Sequence, residues 1–242
     1  DDRTRQSIVQ AWLENFPDSD AWLLRWTTLD TPVVGLISGL DGPPRGHPDD
    51  LQSRLADSQL RESLKRSALT DGWQLWGGWV GPARSLLPEG DRPEPNTDDH
   101  PRVAWMAARG VERARLQFRE DLLQWLGKCQ RHQPSGWSPA ELQRWLAFRS
   151  ARDEYLSALL AEVSGDRSQA DQLLWSSLAR SPDFPTAYSH WIGRALSLAG
   201  SDPAAARHIL TRLGDARPEQ PLAKEVLRRV GRADVKGEAS QE

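Results

Sequence analysis

Apolar positions recur at helical spacing from the start of the chain. Ile8, Ala11, Trp12, Leu13 and Phe16 share one face, so the spacing predicts an opening helix that Pro17 ends. Two short apolar runs follow, at residues 21–27 and 33–38, and they read as strands. Residues 29–32, Leu-Asp-Thr-Pro, are the punctuation that closes a hairpin. Both runs are apolar on both faces, which predicts cover on both sides. After a Gly/Pro loop, Pro48 with Asp49 and Asp50 should open a helix reaching about residue 69, because proline and carboxylates favour a first turn. Trp73, Trp76, Trp79 and Val80 continue at helical spacing, loosened by Gly77-Gly78. Residues 86–101 form a polar, proline-rich loop, and residues 103–107 a last short strand.

Beyond residue 109 the pattern is helical throughout. Val111, Ala114, Leu116, Phe118, Leu122, Trp125 and Leu126 form a stripe ending at Gly127. Residues 127–136 interrupt it and should act as a hinge. Ser138, Pro139 and Glu141 then supply a cap, a first-turn proline and a capping box. From there to Val230 helices alternate with Gly165, Pro182, Gly200, Asp202-Pro203 and Pro218. Two stretches share Gly165/Gly200, Ala170/Ala206, Leu174/Leu210 and Pro182/Pro218. The prolines are 218 − 182 = 36 residues apart, against about 34 in a tetratricopeptide repeat. The segment resembles a degenerate tetratricopeptide pair, which implies helical hairpins stacked on small residues.

Composition narrows the function. Lys plus Arg is 31 against 34 for Asp plus Glu, a net charge of −3. That balance argues against nucleic acid as the main partner, since phosphate binding needs a basic surface. One cysteine, Cys129, excludes an internal disulfide and a cysteine-based zinc cluster. No apolar run approaches a membrane span and no signal peptide is evident, so no membrane insertion by this chain is expected. The start at Asp1-Asp2 without methionine suggests a piece of a longer protein. The tryptophans number 12 against 2 tyrosines. Their spread along the chain makes most of them core anchors rather than one binding platform.

The densest candidate chemistry is Asn96, Asp98, Asp99 and His100. As an acid–base pair, adjacent aspartates point different ways. As a metal site, Asp98 and His100 lack a second ligand cluster nearby in sequence. As an Asx-type turn, Asn96 or Asp98 would bond backbone amides and lead into the strand. Gly77-Gly78 with Gly81 lacks a preceding strand and a lysine, so it is no phosphate cradle. His47 and His132 fall in loops, and His190 and His208 on helices, as solvated or packed residues. Cys129, with no histidine in view, reads as inert. The run from Arg113 to Asp121 reads as a solvated helix face.

A helix, the run FPDSDAWLLRWTTLDTPVVGLISG, further helices and PNTDDHPRVAW together resemble the last third of the spermidine-synthase-like aminopropyltransferases. The resemblance covers residues 1–109. It implies that 21–27 and 33–38 are the last strands of a methyltransferase-type sheet. It also implies that Asn96, Asp98, Asp99 and His100 border the polyamine end of an intact site, where carboxylates attract an amine cation. That family's nucleoside-binding Gly-rich turn, its ribose-binding acid and its catalytic aspartate are absent here. No catalytic residue, metal ligand or cofactor is therefore expected of this chain alone.

The expected fold class is α+β. Residues 1–109 would form a partial methyltransferase-like (Rossmann-type) sheet edge with helices, 110–133 a connecting helix and hinge, and 134–242 tetratricopeptide-like repeats with a disordered tail. The expected function is the carboxyl-terminal part of an aminopropyltransferase-like protein, incompetent alone. The alternative is a protein-interaction subunit whose repeats hold a partner in a larger, membrane-associated assembly. A protein partner is expected in either case, through strand-edge completion or the repeats. The expected location is cytoplasmic, or membrane-associated through a parent chain or partner.

Overall fold

The computed structural model describes residues 2–25, 33–39, 46–65, 71–87, 90, 94–95, 115–129 and 132–238. Helix α1 (Asp2–Asn15) opens the chain and ends before Pro17, as the pattern predicts. The Trp12 indole donates to Ser19 Oγ at 2.7 Å, and Ser19 donates to the Phe16 carbonyl at 2.6 Å, which turns the chain into β1 (Asp20–Arg25). Strand β2 (Val33–Ile37) pairs antiparallel with β1, with Asp20 opposite Ile37 and Ala21 opposite Leu36. The two runs pair antiparallel as expected, and the turn expected at 29–32 lies outside the described residues.

The third strand lies where helix was expected. Helix α4 (Gly72–Gly77) is capped by Asp71, whose side chain accepts from the Gln74 amide at 2.8 Å. Gly78 stops it, and Trp79 and Val80 enter β3 (Trp79–Pro82). Strand β3 runs antiparallel to β1 on the side away from β2, with Ala21 opposite Gly81 and Trp22 opposite Trp79. The sheet therefore has three strands in the order β2-β1-β3, all antiparallel. This corrects the expected Rossmann-type sheet edge. A parallel sheet needs each strand to return in the same direction through a crossover, and here every pair runs opposed. Two-sided cover is also only partly realised. In β1, Ala21, Trp22 and Leu23 are buried, but Leu24 of β1 and Val33 and Ile37 of β2 are exposed.

The helix expected over 48–69 is broken. Helix α2 (Pro48–Arg54) and α3 (Ser58–Lys65) are separated at Asp57, whose carboxylate accepts from the amides of Gln59 and Leu60 and so starts the second one. A 3₁₀ turn (Ala83–Leu86) follows β3. The expected strand at 103–107 lies outside the described residues.

Helix α5 (Arg115–Cys129) buries Leu122, Trp125 and Leu126 of the expected stripe, but runs on through Gly127, where it was expected to end, to the buried Cys129. Helix α6 (Pro139–Val163) starts on the expected capping box between Ser138 and Glu141. Helices α7 (Arg167–Arg180), α8 (Thr186–Leu198), α9 (Pro203–Ala216) and α10 (Leu222–Glu238) follow, each with its neighbour. Ala170, Leu174, Ala206 and Leu210 are fully buried. Matching burial does not make matching repeats. Helices α7 and α8 of the first stretch have 14 and 13 residues against 14 and 17 in α9 and α10 of the second, and the Gly-to-Ala offsets differ (170 − 165 = 5, 206 − 200 = 6). The hairpins are unequal. Among the described residues no helix is long and apolar enough to cross a membrane.

One core joins the sheet to the helices. Val9, Ala21, Leu23 and Val80 share it with Leu122 and Trp125 of α5, Phe148, Tyr155 and Leu156 of α6, and the later helices. A second cluster, made of tryptophan, fills the angle between β1, α4, β3 and α6.

Candidate functional site

Trp22, Trp76, Trp79 and Trp145 are buried together, and Trp73, Trp137 and Leu146 pack against them. The rings form a chain of tilted and edge contacts. Trp22 to Trp76 is 4.9 Å between centroids, Trp76 to Trp137 is 5.1 Å and Trp79 to Trp145 is 5.5 Å. Such offset and edge geometries suit the aromatic quadrupole. Helix α6 anchors the cluster. The Trp145 indole donates to the Trp76 carbonyl at 3.1 Å, and the buried Arg152 guanidinium donates to the Gly77 carbonyl at 2.7 Å. These two bonds satisfy the carbonyl end of α4, which a glycine terminus otherwise leaves open. Gly77 is required there. A Cβ would stand 2.0 Å from Phe148 Cε1.

Beside this cluster lies a cavity of about 700 Å³, walled by Trp76, Trp79 and Trp137, with residues 132–136 along another side. Asp20, Asp50 and His47 supply its ionisable groups together with His132. Asp20 is the first residue of β1 and only 9 % exposed. Burial raises its pKa above the ordinary carboxylate value, and Trp79 partly offsets the rise. Among the described residues Asp20 makes no ion pair, and no lysine or arginine lines the cavity. Trp22 and Trp76 keep buried indole N–H groups with no acceptor among the described residues.

His47 is held from both sides. Its Nε2 lies 2.6 Å from Glu141 Oε1, and its Nδ1 accepts from the Asp49 amide at 3.3 Å, with the Asp49 carboxylate 3.6 Å away. Asp50 accepts from the His47 amide at 3.2 Å. The Glu141 carboxylate also accepts from the Ser138 amide and hydroxyl, each at 2.7 Å, and these bonds hold its pKa below the ordinary value. His47, Asp49 and Glu141 lie close enough to suggest a cation site. The geometry argues against one. Nε2 and Glu141 Oε1, 2.6 Å apart, are in direct hydrogen-bond contact, which leaves no room for an ion between them. With both nitrogens engaged, His47 is also poorly placed as a general base. It works as a tie between the start of α2 and the start of α6.

A second depression, between α6, α7 and α8, is lined by Glu162, His190 and Arg194. His190 pairs with Glu162 at 3.1 Å, and Arg194 pairs with Asp171. Those pairs account for His190, Glu162 and Arg194, while Arg167 also lines the depression outside them. Cys129 is buried with its sulfur 3.4 Å from Ser85 Oγ.

Asn96, Asp98, Asp99 and His100 lie outside the described residues. The structure instead gathers residues that sequence reading kept apart. His47 and His132, read as scattered loop histidines, both line the cavity. The tryptophans read as separate anchors converge from four elements. Asp20 was missed, although an acid opening an apolar strand is a visible irregularity. The Trp73, Trp76, Trp79 spacing was visible too, but was assigned to one helix.

Comparison with protein-family models, curated proteins and solved structures finds no match. Together with the all-antiparallel sheet, this overturns the spermidine-synthase-like reading and the aminopropyltransferase function drawn from it. The tetratricopeptide assignment likewise finds no support in any of these comparisons.

Proposed function

We propose that this protein binds a small molecule in the tryptophan-walled cavity and does not transform it. The carrying observation is a concave site of about 700 Å³ with three indoles and a few polar groups on its walls. That size and composition match the usual small-ligand site, which spans about 300–1,000 Å³. The engaged nitrogens of His47 favour binding over acid–base chemistry. The Trp76 N–H, buried without an acceptor, adds a donor at the wall. Fluorotryptophan labelling tests the reading, with resonances assigned by single Trp→Phe variants. Compounds from a fragment set should perturb Trp76, Trp79 and Trp137 together. Perturbations confined to other tryptophans, or none at all, would overturn it.

A second reading concerns a protein partner. Strand β2 has one neighbour among the described residues, and Val33 and Leu24 are each 45 % exposed beside it. An edge strand with apolar side chains is a template for a strand from another chain. In the isolated chain, Val33→Lys and Ile37→Lys should leave stability nearly unchanged, because both side chains are exposed among the described residues. A loss above about 2 kcal/mol, the scale of a buried charge, would show that the chain itself covers the edge.

A further inference from the structure

We propose that the ligand is a compact organic cation, an alkylated ammonium group seated on Asp20 between Trp76, Trp79 and Trp137. This rests on the cavity being a small-molecule site. The argument is one of charge. Asp20 is almost fully buried, faces the cavity and has no ion-pair partner among the described residues. A ligand entering the cavity strips water from that carboxylate. A neutral or anionic ligand would leave a buried charge uncompensated, which is strongly unfavourable. A cation compensates it, and Asp50 at the cavity adds a second negative group.

The walls select the kind of cation. Indole rings attract a cation through their electron-rich faces, most strongly when it is weakly hydrated and easily desolvated. An alkylated ammonium meets that condition. A bare metal ion does not, because indoles offer no ligand atoms and two carboxylates alone make a sparse oxygen set. Two described arginines on the flanking indoles are already committed. Arg149 lies 4.4 Å over Trp145 and donates to the His132 carbonyl, while Arg144 lies 4.2 Å over Trp73 and pairs with Asp183. Both stack on the flanking indoles, and neither is among the residues lining the cavity.

The test compares choline with its neutral tert-butyl analogue, dimethylbutanol, in titrations of intrinsic tryptophan fluorescence on the whole chain. Choline should change the emission saturably, and the neutral analogue should bind at least about tenfold more weakly. Asp20→Asn should weaken choline by at least about tenfold and strengthen the neutral analogue, because the uncompensated charge that disfavours it is gone. The wild-type comparison stands even if that variant folds poorly. Equal binding of the two probes overturns the cation assignment and leaves small-molecule binding intact. No choline binding at about 50 mM, while other compounds perturb the fluorotryptophan resonances, overturns the cation alone. Silence from every compound overturns both.

Discussion

Asp20 shows how one residue can work against the fold that holds it. Its carboxyl is raised by burial, so the folded state binds its proton more tightly than the unfolded state does. Stability from this group is therefore present at low pH, and is lost as pH rises from the unfolded value of 3.8 through the raised folded one. Above that range, where the group is ionised, its burial is a cost. Asp20→Asn should raise the melting temperature at neutral pH, with the gain vanishing in acid. A lower melting temperature at neutral pH would show that Asp20 is compensated. Glu141 runs the other way. Its lowered pKa means that its bonds to Ser138 and His47 contribute above the unfolded carboxylate value, and are lost as pH falls through the folded one. Ser138→Ala should cost about 1 kcal/mol in urea unfolding, the usual worth of an N-cap.

At the scale of elements, two glycines make opposite predictions. Gly77 ends α4 with Phe148 against its Cα, and Gly77→Ala must displace that ring. The change should destabilise by about 1–3 kcal/mol through overpacking. Gly127 sits inside α5 with nothing within 4 Å of a Cβ, so Gly127→Ala should stabilise by about 0.5–1 kcal/mol. Paired urea titrations check both. If the two effects have the same sign, the packing of α6 on α4 is not as described. The capping box at Ser138 was legible because it is local, written in neighbouring residues. Strand β3 was not. Trp73, Trp76 and Trp79 satisfy a helical period, and only pairing of Trp79 with Trp22 of β1 draws the last of them into a strand.

Across the whole molecule, the helical array and the sheet share a boundary. Trp145, Phe148 and Arg152 of α6 are all buried, and each meets α4 or β3. A fragment of residues 134–242 would expose all three. It should keep its helical circular dichroism but melt below the full chain and bind a hydrophobic dye. A fragment as stable as the full chain, with no dye binding, would show that this boundary contributes nothing.

The sequence by itself determined α1, the β1–β2 pairing and the start and succession of the later helices. It did so because periodicity, prolines and caps act over a few residues. The buried small positions of the helical array, Ala170 and Ala206, were also readable, because only a small side chain fits where helices cross. Only the tertiary structure decided that all strand pairs run antiparallel, and that Trp79 belongs to the sheet. It alone brought Asp20, His47, His132 and three tryptophans around one cavity. Those residues span 137 − 20 = 117 positions, and no local pattern links them. What joins them is packing of α4 and β3 against β1 and α6, a set of contacts between segments far apart in the chain.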